Sequence, residues 1–216
     1  MNGIAIYVEG GGEHEHQKAE LRQGMDVLLA TQKGLARDKR LSWKVVFCGG
    51  RDAAYHAFVN ASNVEPTTLN VLLVDSEEGV ASETGDKARN AKERIDHLLK
   101  RDRWDFLQTL PERVHLMVQC METWIVADED ILEQFYGQHF ARNALPERKN
   151  LEEESKADIS VKLNRATHDP RMTKGAYKKI GHASKLLALI RPAKVAERCP
   201  RFLSLTSWLD QAIGSI

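Results

Sequence analysis

The chain reads as an α/β protein: a central, mostly parallel sheet flanked by helices, closed by a helical C-terminal cap. Three observations predict this class. Short apolar, β-prone runs alternate in the first two thirds of the chain with longer segments whose apolar residues recur at helical spacing. The run at residues 69–74 is apolar almost throughout, as suits a central parallel strand buried on both faces. A strand-then-helix order repeated along the chain calls for parallel strands joined by helical crossovers.

Residues 4–8 read as the first strand, and Gly10-Gly11-Gly12 as a flexible turn after it. Residues 13–36 read as one helix, with Leu21, Met25, Leu28 and Leu29 on its inner face. Residues 42–48 form the second strand, closed by Gly49-Gly50, and residues 51–60 a helix with Ala54, Ala57 and Phe58 on one face. A loop carrying Pro66 leads into the third strand, and a polar loop over 76–86 leads out of it. Residues 87–100 read as a helix with Ile95, Leu98 and Leu99 inward, 114–120 as the fourth strand and 121–135 as a helix. After Gly137 the chain turns polar, with the run Glu152-Glu153-Glu154. Helices are expected at 156–164, 174–190, 192–198 and 202–213. The expected organisation is a core over 1–137 and a mostly helical extension over 138–216 packed on the same domain.

Composition excludes several classes. Lys+Arg and Asp+Glu are each 31 of 216 residues, so the net charge is zero and a bulk basic footprint for nucleic acid is absent. Any such binding must come from local patches, which the C-terminal third contains. Cys48, Cys120 and Cys199 stand far apart, against both a disulfide scaffold and structural zinc, and a reducing cytoplasm is the expected location. The chain opens into a strand with no basic or apolar leader, and no apolar run reaches the roughly 18 residues of a membrane span.

The chemistry sits at two strand ends. Val8-Glu9-Gly10 ends the first apolar run, and Val74-Asp75-Ser76-Glu77 ends the third. Ligands of open α/β sheets bind beyond the carboxyl ends of the strands. If these two strands are neighbours, Glu9, Asp75 and Glu77 converge, and carboxylates that converge need a proton or cation between them. Hard oxygen ligands suit Mg²⁺ or Mn²⁺. Glu122, just past the fourth strand, is a candidate fourth ligand or a helix N-terminal acid. Lys174, Lys178 and Lys179, with His182 nearby, are the basic candidates for contacting a phosphoryl group. Gly10 and Gly11 can approach a substrate or simply turn the backbone beside the metal; the Walker-type phosphate loop is absent. Glu13 reads better as a helix N-terminal acid. In His14-Glu15-His16, residues two apart point away from each other on a helix, which favours a solvated helix start over a metal site. Trp124 reads as a core aromatic.

A Glu after the first strand and an acidic pair after the third resembles the Toprim domain of topoisomerases, primases and overcoming-lysogenization-defect (OLD) nucleases. Glu9 matches the first Toprim position; Asp75 and Glu77 match its Asp-x-Asp, with Glu in place of the second Asp. The segments Cys120-Met121-Glu122-Thr123-Trp124-Ile125-Val126-Ala127-Asp128, Lys174-Gly175-Ala176-Tyr177-Lys178-Lys179 and Ile190-Arg191-Pro192-Ala193-Lys194-Val195 resemble a bacterial Toprim-like family, domain of unknown function 4276. These resemblances imply a Toprim-like fold and a metal-dependent nuclease acting on DNA or RNA. Glu9, Asp75, Glu77 and Glu122 would be the ligands. Catalysis would fall to Glu9, Asp75 and Glu77, with Lys174 or Lys179 in support, and Lys178, His182, Gly10 and Gly11 would touch substrate. A role in phage defence beside an ATPase partner, and a homo-oligomer, are further implications. The alternatives are a non-catalytic subunit that binds an ATPase, a nucleotide or a nucleic acid, and a phosphotransferase or phosphatase on small nucleotides.

Overall fold

A computed structural model describes residues 2–105 and 110–216. Four strands, β1 (Gly3–Val8), β2 (Ser42–Phe47), β3 (Thr68–Asp75) and β4 (Val114–Met117), form one parallel sheet in the order β2-β1-β3-β4. The α/β class predicted from the alternation is therefore the observed one. Val8 lies opposite both Phe47 and Leu73, and Asp75 opposite Met117, so the ends of β1 and β3 open on the same side of the sheet.

Side chains alternate across the sheet and build two cores. Ile4, Ile6 and Val8 of β1 join Val71 and Leu73 of β3 on one face. There they meet α1 (Glu15–Leu28), α2 (Ala30–Asp38), α5 (Met121–Val126), α6 (Glu129–Tyr136) and four C-terminal helices. Those four are α7 (Lys156–Ala166), α8 (Ala183–Leu187), α9 (Pro192–Arg198) and α10 (Pro200–Gly214). Ala5, Tyr7, Leu72 and Val74 face the other way, against Phe58 of α3 (Arg51–Val64) and Ile95 and Leu98 of α4 (Lys87–Asp102). Burial of β3 on both faces explains its unbroken apolar run. Trp124, fully buried, packs edge-on to Phe202 with ring centroids 4.9 Å apart, so the C-terminal helices share a core with the sheet.

Several boundaries differ from the sequence expectation. The helix expected over 13–36 begins at Glu15 and bends at Leu29, whose buried side chain keeps both halves on the sheet. The helix expected over 121–135 is two. Asp128 interrupts it because its carboxylate accepts from the Ile131 N–H and so caps a new helix. Bidentate bonds from Arg191, at 2.8 and 2.5 Å, hold that carboxylate. The strand expected over 114–120 stops at Met117, while the helix expected over 51–60 runs on to Val64. The long helix expected over 174–190 is helical only from Ala183. Before that, the Tyr177 N–H donates to the Thr167 hydroxyl at 2.9 Å, and Gly175 has φ +67°, which breaks helical geometry. Among the described residues no helix is long and apolar enough to cross a membrane.

Helix α1 approaches α8 closely at Gly24, where an added Cβ would stand 2.4 Å from the Ser184 carbonyl oxygen. Helix propensity favours alanine there by about 1 kcal/mol. Overpacking costs about 1–3 kcal/mol, and backbone cannot swing aside as a side chain can. Gly24→Ala is therefore expected to lower the urea midpoint of unfolding; an unchanged or higher midpoint would show that the two helices separate freely.

Candidate metal centre

The strand order changes direction between β1 and β3: β1 is followed outward by β2 on one side, and β3 by β4 on the other. Crevices of parallel sheets open at such points. Glu9 leaves β1 there, its N–H donating to the Leu73 carbonyl at 3.2 Å. Asp75 is the last residue of β3. One carboxylate oxygen each from Glu9, Asp75 and Glu77 lies within 4.8 Å of the others. The convergence expected from the two strand-end motifs is therefore observed.

Each carboxylate is held in place. Oε2 of Glu9 accepts from the Asp75 N–H at 3.3 Å and from Arg51 Nη1 at 3.0 Å. Arg51 is fixed in turn by a fork onto Asp102, at 2.8 and 2.7 Å. Oδ1 of Asp75 accepts from the Met121 N–H at 3.0 Å. Glu77 has a left-handed backbone, φ +67°, and its N–H donates to the Gln119 carbonyl at 2.9 Å. A non-glycine residue in that region is strained and needs such outside support. β3 ends at Asp75, and with this backbone the Glu77 carboxylate comes within 4.8 Å of those of Asp75 and Glu9.

Lys156, at the start of α7, completes the cluster. Its Nζ stands 2.5 Å from Glu77 Oε1 and 3.6 Å from Asp75 Oδ2. Its backbone N–H donates to the Gln119 side chain at 3.0 Å, which places the start of α7 at the crevice. Burial alone would lower the Lys156 pKa, but the bond to Glu77 and the charge of Asp75 outweigh it and keep the ammonium protonated. Asp75 is 5% exposed, and burial followed by the Glu9 charge pushes its carboxyl up to about 7, against the pull of Lys156 and Lys179.

The other candidates fall into three groups. Glu122 is buried and outside the three-carboxylate group. It accepts from the Tyr177 hydroxyl at 3.1 Å and has Lys179 Nζ at 3.8 Å. Its charge still acts on Asp75, as does that of Lys179, so both border the site. Lys174 is not at the site: its ammonium lies over the Phe135 ring, 4.8 Å from the centroid. His182 is turned to the Tyr136 hydroxyl at 2.9 Å, and the Lys178 N–H donates weakly to the same ring at 3.3 Å. The failed helix over 174–182 is the reason: without helical spacing the lysines do not share a face. Gly10 has both its N–H and its carbonyl paired with Gly49 at 2.9 Å, so its amide does not face a ligand. Gly11, with φ +89°, would press a Cβ to 2.8 Å from Lys18. These two glycines serve the tight turn.

Arg51, Lys156, Gln119 and Tyr177 escaped the sequence reading. Ser155 followed three residues later by Asp158 is a helix-start signature, and Ser155 does cap α7 by accepting from the Asp158 N–H at 3.0 Å. That signal marks a helix beginning at Lys156, not its place beside β3.

Three hard-oxygen donors fit a small divalent cation. Opposite oxygens around Mg²⁺ stand about 4.2 Å apart, given metal–oxygen distances of about 2.1 Å. A spread of 4.8 Å closes to that by small side-chain rotations, with Lys156 displaced from between Asp75 and Glu77.

Fold and carboxylates together define a parallel α/β protein with a candidate divalent-cation centre at its strand-order switch. The chain belongs to the family described as Domain of unknown function (DUF4276), whose family model matches residues 8–210. Neither a comparison with curated proteins nor one with solved structures finds a significant match.

Proposed function

We propose that this protein is a Toprim-type, metal-dependent nuclease that hydrolyses phosphodiester bonds in DNA or RNA with Mg²⁺ or Mn²⁺. The observation that carries the reading is the meeting of Glu9, Asp75 and Glu77 within 4.8 Å at the carboxyl ends of two neighbouring parallel strands. The likeness of these residues to the Toprim acidic positions supports it. A divalent cation bound there would neutralise phosphoryl oxygens and activate water near neutral pH.

The chain's own residues supply the rest. Arg51 and the Asp75 N–H hold Glu9 as an oriented carboxylate. The Met121 N–H leaves Asp75 one oxygen, Oδ2, directed at the site. Lys156, once released from its carboxylates, is the ammonium nearest an incoming phosphoryl group and stabilises charge there. Lys179, paired at only 3.8 Å and more than half exposed, extends that positive surface. The free thiols Cys48, Cys120 and Cys199 accord with a cytoplasmic location, and an ATPase partner in phage defence remains part of the proposal.

A second reading has its own observation. Arg51 pairs with Glu9, and Lys156 with Glu77, as they would in a non-catalytic subunit that holds a ligand or an ATPase partner. Incubation of the purified chain with labelled single- and double-stranded DNA and RNA, with Mn²⁺ and with a chelator, separates the two. The nuclease reading expects cleavage that the chelator stops. Intact substrates in every Mn²⁺ reaction would favour the binding subunit.

A further inference from the structure

A cleft of about 690 Å³ opens beside the carboxylate cluster, where the start of α7 meets the loops that follow β3 and β4. Glu77 and Lys156 belong to both the cluster and the cleft. Glu78, Gly79, Gln119 and Ser160 contribute further to its lining.

Gln119 is 8% exposed, and its neighbours fix which way its amide points. Oε1 accepts from the Lys156 backbone N–H at 3.0 Å, and a flipped amide would set two donors against each other. The Nε2 so placed has no hydrogen-bond partner among the described residues. It is not sealed off either. Six polar side-chain atoms among the described residues are buried without a partner, and Gln119 Nε2 is not one of them. A Cβ built on Gly79 would stand 3.7 Å from Nε2, so the missing side chain leaves this atom uncovered. A donor held this firmly at a cleft wall is preorganised for an acceptor on a ligand.

The surroundings select the acceptor. Glu77 and Glu78 both line the cleft, and the cation that lines it, Lys156, is bonded to Glu77 at 2.5 Å. A phosphate oxygen there would meet net negative charge. No aromatic ring or guanidinium lines the cleft among the described residues, so a base would have no face to stack on. The exposed Glu78 carboxylate has no partner of its own among the described residues, so the cleft also offers an acceptor. A hydroxyl matches both, since it accepts and donates at once. Within a polynucleotide, the hydroxyl beside each phosphodiester is the ribose 2′-OH, the group that sets RNA apart from DNA.

We propose that Gln119 Nε2 donates to the 2′-hydroxyl of the nucleotide next to the cut phosphodiester, that this hydroxyl donates to Glu78, and that the protein thereby selects RNA over DNA. The proposal rests on the nuclease reading for where the phosphodiester lies.

Fluorescence anisotropy on the full chain in Ca²⁺ tests it, with a labelled single-stranded oligonucleotide of one sequence in ribo and deoxyribo forms. Cleavage of the same pair in Mn²⁺ is followed separately. The ribo form is expected to bind about tenfold more tightly, the worth of one good hydrogen bond. Gln119→Glu keeps an oxygen for the Lys156 N–H and replaces the free donors with an acceptor. Its added charge weakens both forms alike, but the ribo-to-deoxyribo ratio should fall to near one. Gly79→Val, which covers Nε2 and leaves the Lys156 bond in place, should lower the ratio as well. Comparing ratios cancels whatever else distinguishes RNA from DNA. A ratio near one in wild type, an unchanged ratio in the folded variants, or no measurable binding of either form would overturn the proposal. Equal binding together with Mn²⁺-dependent cleavage of both forms would sink this proposal and leave the nuclease reading standing. A ribo preference that Gln119→Glu removes, without any cleavage, would do the reverse.

Discussion

Asp75→Asn is expected to weaken divalent-cation binding by about 100-fold or more and to abolish metal-dependent cleavage, while the protein stays folded. Asparagine preserves the shape and keeps an oxygen for the Met121 N–H, which bonds Asp75 at 3.0 Å. What it removes is a negative charge in a site that is 5% exposed and shared with Glu9 and Glu77. The folded-state carboxyl is pushed from 3.8 up to about 7, so below about 7 a proton occupies the oxygen a cation needs. Wild-type affinity should therefore climb as pH rises toward about 7 and level off above it, by about tenfold per unit at the steepest. The stability linkage has a definite sign. A raised carboxyl pKa means that the folded chain holds more protons than the unfolded one between about 4 and about 7. This group's contribution to stability is lost as pH rises through that window, and Asp75→Asn should not lose it. At pH 8 the variant should melt no lower than wild type. Calorimetric Mn²⁺ titrations and thermal melts across this pH range measure both. Unaltered Mn²⁺ affinity in the variant would remove Asp75 from the site.

Lys156→Met should split binding from turnover in the opposite sense. The ammonium stands 2.5 Å from Glu77 and 3.6 Å from Asp75, where an incoming cation would sit, so it competes for the same oxygens. Methionine keeps most of the apolar stem and removes the competitor. At pH 8, above the range in which protonation of Asp75 interferes, Mn²⁺ affinity should rise about tenfold. Cleavage should fall by about 100-fold, because the charge facing the phosphoryl group is gone. The metal-free variant should also be less stable, with three carboxylates left to repel one another. Calorimetry and a cleavage time course read the two halves separately. Weaker Mn²⁺ binding would mean that Lys156 orders the carboxylates instead of competing with metal.

Much of this site was legible along the chain because its acidic residues come from strand ends. A run such as Val71-Leu72-Leu73-Val74 announces a strand, and the residue where it stops must lie at the sheet's rim. Glu9 and Asp75 are positioned by that logic alone. The cationic half was not legible in the same way. Lys174, Lys178 and Lys179 look like a cluster in sequence, yet the Thr167–Tyr177 bond and Gly175 break their helix and scatter them. Lys156 looks like an ordinary helix-start residue; the packing of α7 into the shared core and the bond from its backbone to Gln119 bring it to the crevice. Asp128 reads as a helical position until Arg191, distant along the chain, is seen to hold it.

Periodicity and residue type are local properties, and by themselves they determined the α/β class, the strands and the acidic termini of β1 and β3. Tertiary structure alone decided that β1 and β3 are neighbours, which makes three distant carboxylates one site. It also decided which cations answer them, because long basic side chains find partners through space and leave no periodic mark.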